Sequence, residues 1–446
     1  MVFRAMDDEI EANLQNVNSN EPHPYYISYL VTDAERCHIE STRGSLVVTN
    51  AQPEPVRDVQ TRVLVGDNNF NSDYVEYETE SIENRNPFPL DNNYNNIRLL
   101  LSQNTDGALK KALRAYADKQ RLGKPQNLPD RSSLWVTNLQ TDNPYSKLNQ
   151  FLLESIANEL SARFEGYSLL TQSGAQIDAY RGDAYFKASD GVQYRQPVSL
   201  IRIRVYAQTQ TEDGDALCDY TDFFFQDIQE LEDRESELSA VSEMAERLYE
   251  LRAAPIVSDV YEGPVMFAGT AAAQVFVSAF VESDANLVAR RQPLHIGRNG
   301  GKNKDKEMSL YDKIDQMIVH RSIDVHAVDG LTAFEGKSLI GHYYIDADGM
   351  KVEGDWDIVR HGELVTLLTN RAPMEMKHQS NGHQRLALRK GRLEAEPGAG
   401  ILKLTCHNQL KEEQLMKLLR KRARAEGYSN AYIVWKMISE NEYLRP

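Results

Sequence analysis

Long stretches of alternating apolar and polar residues constrain the fold of this chain more than any other sequence feature. One set lies within residues 24–67 and includes PYYISYLVTD and VRDVQTRVLVGD. A second set includes YSLLTQSGAQIDAYRGDAYFKASDG, QYRQPVSLIRIRVYAQTQT and ALCDYTDFFFQD. Because successive side chains of a strand point to opposite faces, this alternation is typical of half-buried antiparallel strands. The sequence therefore predicts two groups of strands in one sheet, with turns at Arg43 and Gly44 and at Ser189–Gly191.

Apolar residues at helical spacing flank these strands and predict the helices around which the sheet curves. The predicted helices cover residues 6–17, 106–122, 145–164 and 235–252. Two polar stretches separate them. Residues 68–96 are interpreted as a loop, and residues 123–142 as a linker with Trp135 as its anchor.

The length of the chain predicts more than one hydrophobic core. A chain of 446 residues suggests at least two domains. We place the boundary just before Pro255, which ends the last helix of the first domain. The predicted fold class is α+β. Residues 1–253 form a mixed sheet with helices, and residues 254–446 form a mainly antiparallel β domain with one helix of small residues.

Residues 254–385 carry the most distinctive run of motifs. The run opens with YEGPVMF, a Gly-Pro turn followed by a short strand, and continues into a small-residue helix, GTAAAQVFVSAF. GHYYIDADG follows as a predicted hairpin, in which Asp346, Asp348 and Gly349 suit a turn better than a calcium loop, because no closing Glu is present. HGELVTLLTNR contains a further turn, and SNGHQR lies in a polar loop.

In this order, YEGPVMF with TAAAQVF, GHYYIDADG, HGELVTLLTNR and SNGHQR resemble the TldD/PmbA family, metallopeptidase-related proteins once called modulators of DNA gyrase. The resemblance extends over nearly the whole chain. It implies a dimer in which a zinc-bearing and a zinc-free subunit enclose a cavity that admits unfolded peptide. Relatives continue through further C-terminal strands. The resemblance therefore implies that this is a short member or that its C-terminal domain is cut short at Pro446.

The helix after the Gly-Pro turn departs from the zinc-bearing members of that family. Those members carry HExxxH there, which provides two imidazole ligands and a Glu that acts as the base. Here GTAAAQVFVSAFVES contains no His, and its only Glu is Glu282. The resemblance thus implies a zinc-free subunit with no cofactor of its own. It would form a homo- or heterodimer with a TldD/PmbA homologue, and it would hold unfolded peptide while a zinc-bearing partner carries out proteolysis.

The SNGHQR loop supplies the predicted substrate-binding site. It combines amide, imidazole and guanidinium groups, which suit the capture of a peptide backbone or a terminal carboxylate. In the family this short loop lies beside the central groove. The predicted binding residues are Ser380, Asn381, Gly382, His383 and Arg385. The sequence assigns no catalytic residue, since it lacks a GxSxG elbow, a Gly-rich dinucleotide loop and a Walker motif.

Two other functions remain open. One is an independent metallopeptidase with atypical ligands, for which the fallback metal residues are His342, His361 and His383, with Asp346 and His378 also considered. No helical i, i+4 pair of histidines supports this metal site, and surface polarity is the competing interpretation of each His. The other is a non-enzymatic binding protein.

The overall charge argues against direct nucleic-acid binding. There are 66 acidic and 50 basic residues, a formal net charge of −16, which repels phosphate backbones. The basic run LRKRARAE, residues 419–426, is interpreted as the solvated face of a helix.

The compartment is only weakly constrained by the sequence. No apolar run reaches membrane-spanning length, and MVFRAMDDEI lacks a signal-peptide core. Cys37, Cys218 and Cys406 form no disulfide pattern. A cytoplasmic location is the default expectation. Some long family members carry an export signal just before a segment like AMDDEI, so an exported or periplasmic location stays open if a signal peptide was trimmed.

Overall fold

The computed structural model describes residues 1–15, 22–77, 84–123, 129–132, 138–256, 260–282, 286–291, 293–296, 310–352, 354–373, 380–389 and 391–438. Within these ranges the α-helices are α1 (Val2–Gln15), α2 (Tyr94–Leu122), α3 (Gln150–Ala162), α4 (Glu235–Leu251), α5 (Thr270–Val277) and α6 (Glu412–Ala425). The strands are β1 (Pro24–Thr42), β2 (Ser45–Val48), β3 (Glu54–Val65), β4 (Val75–Tyr77), β5 (Asn84–Pro87), β6 (Asn138–Gln140), β7 (Gln172–Ala188), β8 (Gln193–Gln210), β9 (Ala216–Phe225), β10 (Val265–Phe267), β11 (Leu294–Ile296), β12 (Ile323–Ala327), β13 (Ala333–Phe334), β14 (Lys337–Ser338), β15 (Trp356–Arg360), β16 (Glu363–Leu364), β17 (Gln384–Arg389), β18 (Arg392–Pro397), β19 (Leu402–Cys406) and β20 (Tyr432–Val434).

One large sheet is the framework of the N-terminal half. Its described strands run in the order β5-β3-β1-β7-β8-β6, with β2 beside β1 and β9 beside β8. β6 pairs with β8 in parallel, and the other neighbours are antiparallel. The long pairing of β1 with β7 runs from Ser28↔Ala188 to Ser41↔Ala175. The predicted antiparallel sheet, built from two groups of strands, is confirmed.

One face of this sheet carries two hydrophobic clusters beneath helices. Ile27, Tyr29 and Val31 of β1 pack with residues of α1 and α2. Further along the sheet, Ile39 and Ile177 pack with α3 and α4. Side chains two residues apart in a strand point to the same face, so these residues all face the helices. The helices bury their apolar stripes on that face.

The opposite face of the sheet packs against the C-terminal half. Tyr26 and Leu30 of β1 and Tyr194 of β8 form a cluster with Ile345 and Leu393. The sheet is therefore covered on both faces, by helices on one side and by residues that follow position 254 on the other. The division into domains at residues 1–253 and 254–446 stays a prediction.

The C-terminal half has its own cluster around a four-stranded sheet in the order β16-β15-β12-β19. Val325 of β12, Ile358 of β15 and Leu368 are buried there, and Phe276 and Phe280 from α5 and the turn of π-helix after it pack against them. β10 and β20 form a separate parallel pair. The small-residue helix is thus confirmed, and the mixture of helices with mainly antiparallel sheets confirms the α+β class.

Several predicted boundaries are wrong because capping residues override the apolar pattern. α2 begins at Tyr94 instead of residue 106, where the side chain of Asn93 accepts hydrogen bonds from the first turn. α3 begins at Gln150 instead of residue 145, with Asn149 as its cap. The described part of the predicted loop 68–96 contains the short strands β4 and β5, and β4 pairs in parallel with β11. Trp135 lies outside the described residues.

The predicted turns have the backbone geometry that their residue types favour. Arg43 and Gly44 have φ of 46° and 74°, and His361 and Gly362 have φ of 50° and 83°. Both pairs therefore lie in the left-handed region that two-residue hairpins use. In place of the predicted GHYYIDADG hairpin, one isolated antiparallel bridge joins Ile345 to Lys351. The turn of the hairpin is therefore confirmed, but its two regular strands are not. Among the described residues, no helix has the length and hydropathy required to cross a bilayer.

Candidate functional site

Hydrogen bonds to Thr369 and Leu367 hold the predicted SNGHQR loop in place. Thr369 N donates to Asn381 Oδ1 over 2.6 Å, and Asn381 N donates to Thr369 Oγ1 over 3.0 Å. Asn381 Nδ2 donates to the Leu367 carbonyl, and Ser380 Oγ donates to the Thr369 carbonyl. Gly382, with φ of 87°, provides the left-handed turn between them. The amide of Asn381 therefore shapes the loop.

The imidazole of His383 lies inside this loop and has no exposed surface. Its Nδ1 is 2.7 Å from Asn381 Oδ1, and its Nε2 is 3.1 Å from Asp329 Oδ2. The second pair of atoms is close but is not oriented for a hydrogen bond. Any contribution of His383 to binding is therefore made through the loop that it positions.

Arg385 lies against an aromatic ring at the end of the same loop. Its Cζ is 3.5 Å from the centroid of the Tyr343 ring, and its Nη2 donates to the Gly341 carbonyl over 3.1 Å. The Tyr343 hydroxyl donates to the Gly382 carbonyl over 2.7 Å. Burial lowers the pKa of Arg385 from its ordinary value, but a guanidinium so shifted stays charged at neutral pH. The structure thus brings all five predicted binding residues into one network.

The turn at Asp346 joins this network to the centre of the molecule. The Asp346 carboxylate accepts hydrogen bonds from the main-chain N–H groups of Asp348, Met350 and Gln384. Ala347 N donates to the Gln384 carbonyl over 2.6 Å. Burial and the charge of Asp348 raise the pKa of Asp346, while the three N–H groups oppose that shift. Asp346 is therefore committed to the backbone and is not free for a metal.

A cavity of about 400 Å³ lies beside this turn, between the large sheet and the C-terminal half. Its size falls within the range of small-ligand sites, about 300–1,000 Å³. The sheet side is apolar in part, with Leu30, Val63 and Phe186. The polar and charged lining residues include Gln60, Arg62, Asp73, Arg131, Asp348, Asn370, Arg371 and Gln384. Gln384 belongs to both the cavity wall and the SNGHQR loop, so the predicted site borders this cavity.

The charged side chains that line the cavity differ in how completely they are hydrogen-bonded. Arg62 is hydrogen-bonded to Asp73, and Arg371 is hydrogen-bonded to Asp190 over 2.8 Å. Burial raises the pKa of Asp73, but the charges of Arg62 and Arg131 outweigh burial, so the pKa lies below its ordinary value. Among the described residues, by contrast, no hydrogen-bond acceptor faces Nε or Nη2 of Arg131. Sequence reasoning missed Arg131, because it falls in the stretch interpreted as a linker.

Helix α5 offers no side chain of a type that commonly binds zinc. TAAAQVFV offers no imidazole, thiol or carboxylate. Its one amide, on Gln274, is engaged, since Nε2 donates to the Met437 carbonyl and Oε1 accepts from Met437 N, each over 2.9 Å.

The fallback metal residues do not converge in the described part of the chain. His342 bonds to the Leu339 carbonyl, and His383 is enclosed as described above. His378 lies outside the described residues. His361 does join a group with Asp324 and His407, in which one potential ligand atom from each residue lies within 4.8 Å of the others. Neither Asp324 nor His407 was considered as a ligand from the sequence, because the three positions have no motif spacing.

This group is compact but already hydrogen-bonded. His407 Nε2 is 2.7 Å from Asp324 Oδ2, and the main-chain N–H of His361 donates to Asp324 Oδ1. The rings of His361 and His407 are 4.9 Å apart between centroids, and both imidazoles are exposed. Two imidazoles and a carboxylate are a possible donor set for a transition metal.

No protein-family description and no curated protein matches this chain. Solved structures do match. A putative modulator of a DNA gyrase from Thermotoga maritima superposes with a TM-score of 0.58 and 10% identity, covering 94% of this chain and 81% of that chain.

Two further structures agree with the first. TldE from Thermococcus kodakarensis gives a TM-score of 0.55 and 12% identity, covering 92% of this chain and 80% of its own. A putative modulator of DNA gyrase from Bacteroides thetaiotaomicron gives 0.57 and 10%, covering 90% and 76%. At these identities the likeness concerns the fold, and site residues are not transferred by it. Over at least 90% of its length, the chain has the TldD/PmbA fold.

Proposed function

We propose that this protein is a zinc-free subunit of the TldD/PmbA type, which holds unfolded peptide and supports proteolysis by a zinc-bearing partner. The observation that carries the proposal is the composition of α5. In that helix no side chain can serve as a typical zinc ligand, and Gln274 is already bonded to Met437. This helix supplies no metal ligand for peptide cleavage, and we infer that the metal chemistry comes from another polypeptide.

Exposed apolar side chains support the proposed dimer. Val265 and Phe267 of β10, Val277 of α5 and Trp435 after β20 are all more than one-third exposed. Such side chains favour association with another protein, and we propose them as the contact surface. Within the described residues β10 has β20 as its one strand neighbour. Its other edge could therefore pair with a partner or with an extended peptide.

The cavity and the SNGHQR loop support the proposed peptide binding. Together they offer an apolar wall, the amides of Asn370 and Gln384 and several charged groups near the junction of the two halves. We propose Ser380, Asn381, Gly382, His383 and Arg385 as the loop that shapes this site. Binding of an unfolded chain would combine backbone contacts with a few anchored side chains.

Association with a partner is the direct test. The chain would be analysed by sedimentation velocity alone and with a homologue from the same genome that carries HExxxH. We expect a dimer, and we expect Phe267→Glu with Val277→Glu to weaken association at least about tenfold, because charges on an apolar contact must be desolvated.

Phe151→Glu is the matched control, since Phe151 is an exposed aromatic residue on α3, away from that surface. It should leave the association constant unchanged. A wild-type chain that stays monomeric, both alone and with the homologue, contradicts the proposed assembly. A pull-down that recovers neither a homologue nor peptide favours a binding protein unrelated to proteolysis.

Metal binding by the chain itself is a second candidate function, and the group of Asp324, His361 and His407 favours it. Elemental analysis after purification from zinc-supplemented medium tests this candidate. Metal near one equivalent, lost in His407→Ala and retained in His342→Ala, supports it. Less than about a tenth of an equivalent, with no peptide cleavage when metal is added, excludes it.

A further inference from the structure

Arg131 in the central cavity is a buried cation with incomplete pairing. Its side chain is 2% exposed, and within the described part of the chain Nε and Nη2 have no hydrogen-bond acceptor. The nearest ion-pair partner is Asp348, whose Oδ1 is 3.8 Å from Nη2, beyond hydrogen-bond distance. A buried guanidinium with two unused donors is costly, so an acceptor bound between them would stabilise the site.

The two unused donors lie on one edge of the guanidinium group. The N–H bond of Nε and one N–H bond of Nη2 point in the same direction and form a fork. A carboxylate can accept both at once, with one oxygen for each donor. The free groups of Arg131 are thus the pair that recognises a planar carboxylate.

The orientation of Arg131 is fixed before any ligand binds. Its Cζ lies over the Tyr26 ring, 4.0 Å from the ring centroid, and this cation–π contact holds the guanidinium in place. Its neighbour Asp130 is fully buried between Lys119, at 2.7 Å, and Arg291, at 2.8 Å. On the other side, Ser132 N donates to the Arg371 carbonyl over 3.0 Å. This pre-organisation lowers the entropic cost of binding.

The rest of the cavity suits a ligand with a carboxylate at one end and an apolar group beside it. Leu30, Val63 and Phe186 line the apolar side. Arg62 is already paired with Asp73, whereas Nε and Nη2 of Arg131 are buried without an acceptor among the described residues. A volume of about 400 Å³ would enclose the end of a peptide but not a folded domain.

We propose that Arg131 binds the carboxylate of a ligand with an apolar terminal residue, and that this ligand is the C-terminus of a peptide. The peptide part of this inference rests on the proposed function. A small free carboxylic acid presents the same chemistry to Arg131, and the experiment distinguishes the two sources.

Fluorescence anisotropy tests the proposal with the full chain. The probes are a fluorescein-labelled peptide, Gly-Ser-Gly-Ala-Leu, with a free C-terminal carboxylate, and the same peptide with a C-terminal amide. N-acetyl-leucine serves as an unlabelled competitor. We expect the free acid to bind at least tenfold more tightly than the amide. Arg131→Lys should remove this preference, because an ammonium group cannot form the planar fork.

Arg195→Lys is the matched control, because Arg195 also lies over a tyrosine ring, at 5.5 Å from Tyr185, and is not among the residues that line the cavity. It should keep the wild-type preference. Thermal melts check that each variant is folded, and the comparison of acid with amide on the wild-type chain needs no variant.

The outcomes separate this inference from the proposed function. Equal binding of acid and amide by the wild-type chain overturns the carboxylate site, even if peptide binding itself is real. Failure of both peptides and of N-acetyl-leucine, measured by calorimetry, overturns it as well. Arg131-dependent binding of N-acetyl-leucine without peptide binding supports the carboxylate site and contradicts the peptide as its ligand.

Discussion

Asp130 is fully buried, yet it holds two cations and a main-chain N–H group at once. Its Oδ2 lies 2.7 Å from Lys119 Nζ and accepts from Asn71 N, and its Oδ1 lies 2.8 Å from Arg291 Nη2. The sequence gives no sign of this, because Asp130 lies in a stretch rich in Pro, Asn and Ser. Composition predicts a linker there, whereas the partners come from α2 and from a residue 161 positions further along the chain. Arg131 was missed for the same reason.

The sequence identifies the candidate loop but not the role of each residue in it. The residue types of SNGHQR pointed to hydrogen bonding, and the structure gathers them into one network. Which groups face inward depends on partners such as Asp329, which lies 54 positions before His383 in the sequence and packs against its ring. Tertiary burial of this kind leaves no local pattern, so one sequence could not separate supporting residues from contacting residues.

The stability of the fold should depend on pH through Asp324. The N–H of His361, the largest favourable contact, and then His407 hold the pKa of Asp324 below its ordinary value. Such a group stabilises the fold above its unfolded-state pKa, about 3.9, and this contribution is lost as pH falls through the lower folded-state pKa. Wild-type protein should therefore lose more free energy of unfolding than Asp324→Asn between about pH 5 and about pH 2.

Urea denaturation at a series of pH values measures this difference. Asp142→Asn is the control for loss of a negative charge, since the Asp142 side chain is fully exposed. Parallel stability curves for wild type and Asp324→Asn would show that the contacts of Asp324 do not stabilise the fold.

Among the elements, β1 leaves no room for a side chain on β7 at Gly182. A Cβ added there would lie 2.4 Å from Ala34 Cβ and 2.4 Å from the Asp33 carbonyl oxygen. These contacts involve the backbone of β1, which cannot move without breaking its ladder. We expect Gly182→Ala to lower the free energy of unfolding by about 1–3 kcal/mol, as measured by urea denaturation.

Gly107→Ala is the matched control within an element. Gly107 lies inside α2, and a Cβ there meets nothing within 4 Å. Since Ala is the better helix former, this change should raise the free energy of unfolding by up to about 1 kcal/mol. Equal effects of the two substitutions would refute the close packing between β1 and β7.

The elements also show where sequence patterns succeed and fail. β8 and α4 were predicted nearly to their ends, because their apolar residues follow one period. The start of α2 was placed too late, since its first turns are rich in Asn and Ser and depend on the cap at Asn93. The parallel pairing of β4 with β11 joins segments too distant for any local signal.

At the scale of the whole molecule, the face of the sheet around Tyr26 depends on the C-terminal half for its cover. Tyr26, Leu30 and Tyr194 pack there with Ile345 and Leu393. Residues 1–253 contain the two clusters beneath the helices, so we expect this fragment to unfold cooperatively on its own. It should also bind a hydrophobic dye and self-associate, which the full chain should not do through this face.

Calorimetry, dye fluorescence and sedimentation of the fragment measure these properties. The same fragment with Leu30→Lys should bind less dye, because one apolar residue of the uncovered face becomes charged. A fragment without a cooperative transition would contradict the proposed domain boundary. A monomeric fragment that binds no dye would contradict the dependence of this face on the C-terminal half.

The pairing of β1 between β3 and β7 has a consequence for biosynthesis. β3 follows β1 closely, but β7 ends only at Ala188, on the order of 150 residues after β1 is complete. At translation rates of about 5–20 residues per second, a nascent chain waits on the order of ten seconds for that neighbour. During this interval the open side of β1 can recruit foreign strands. A truncated chain released before residue 188 is made would therefore be prone to aggregate. We expect expression of the full chain to depend strongly on chaperones.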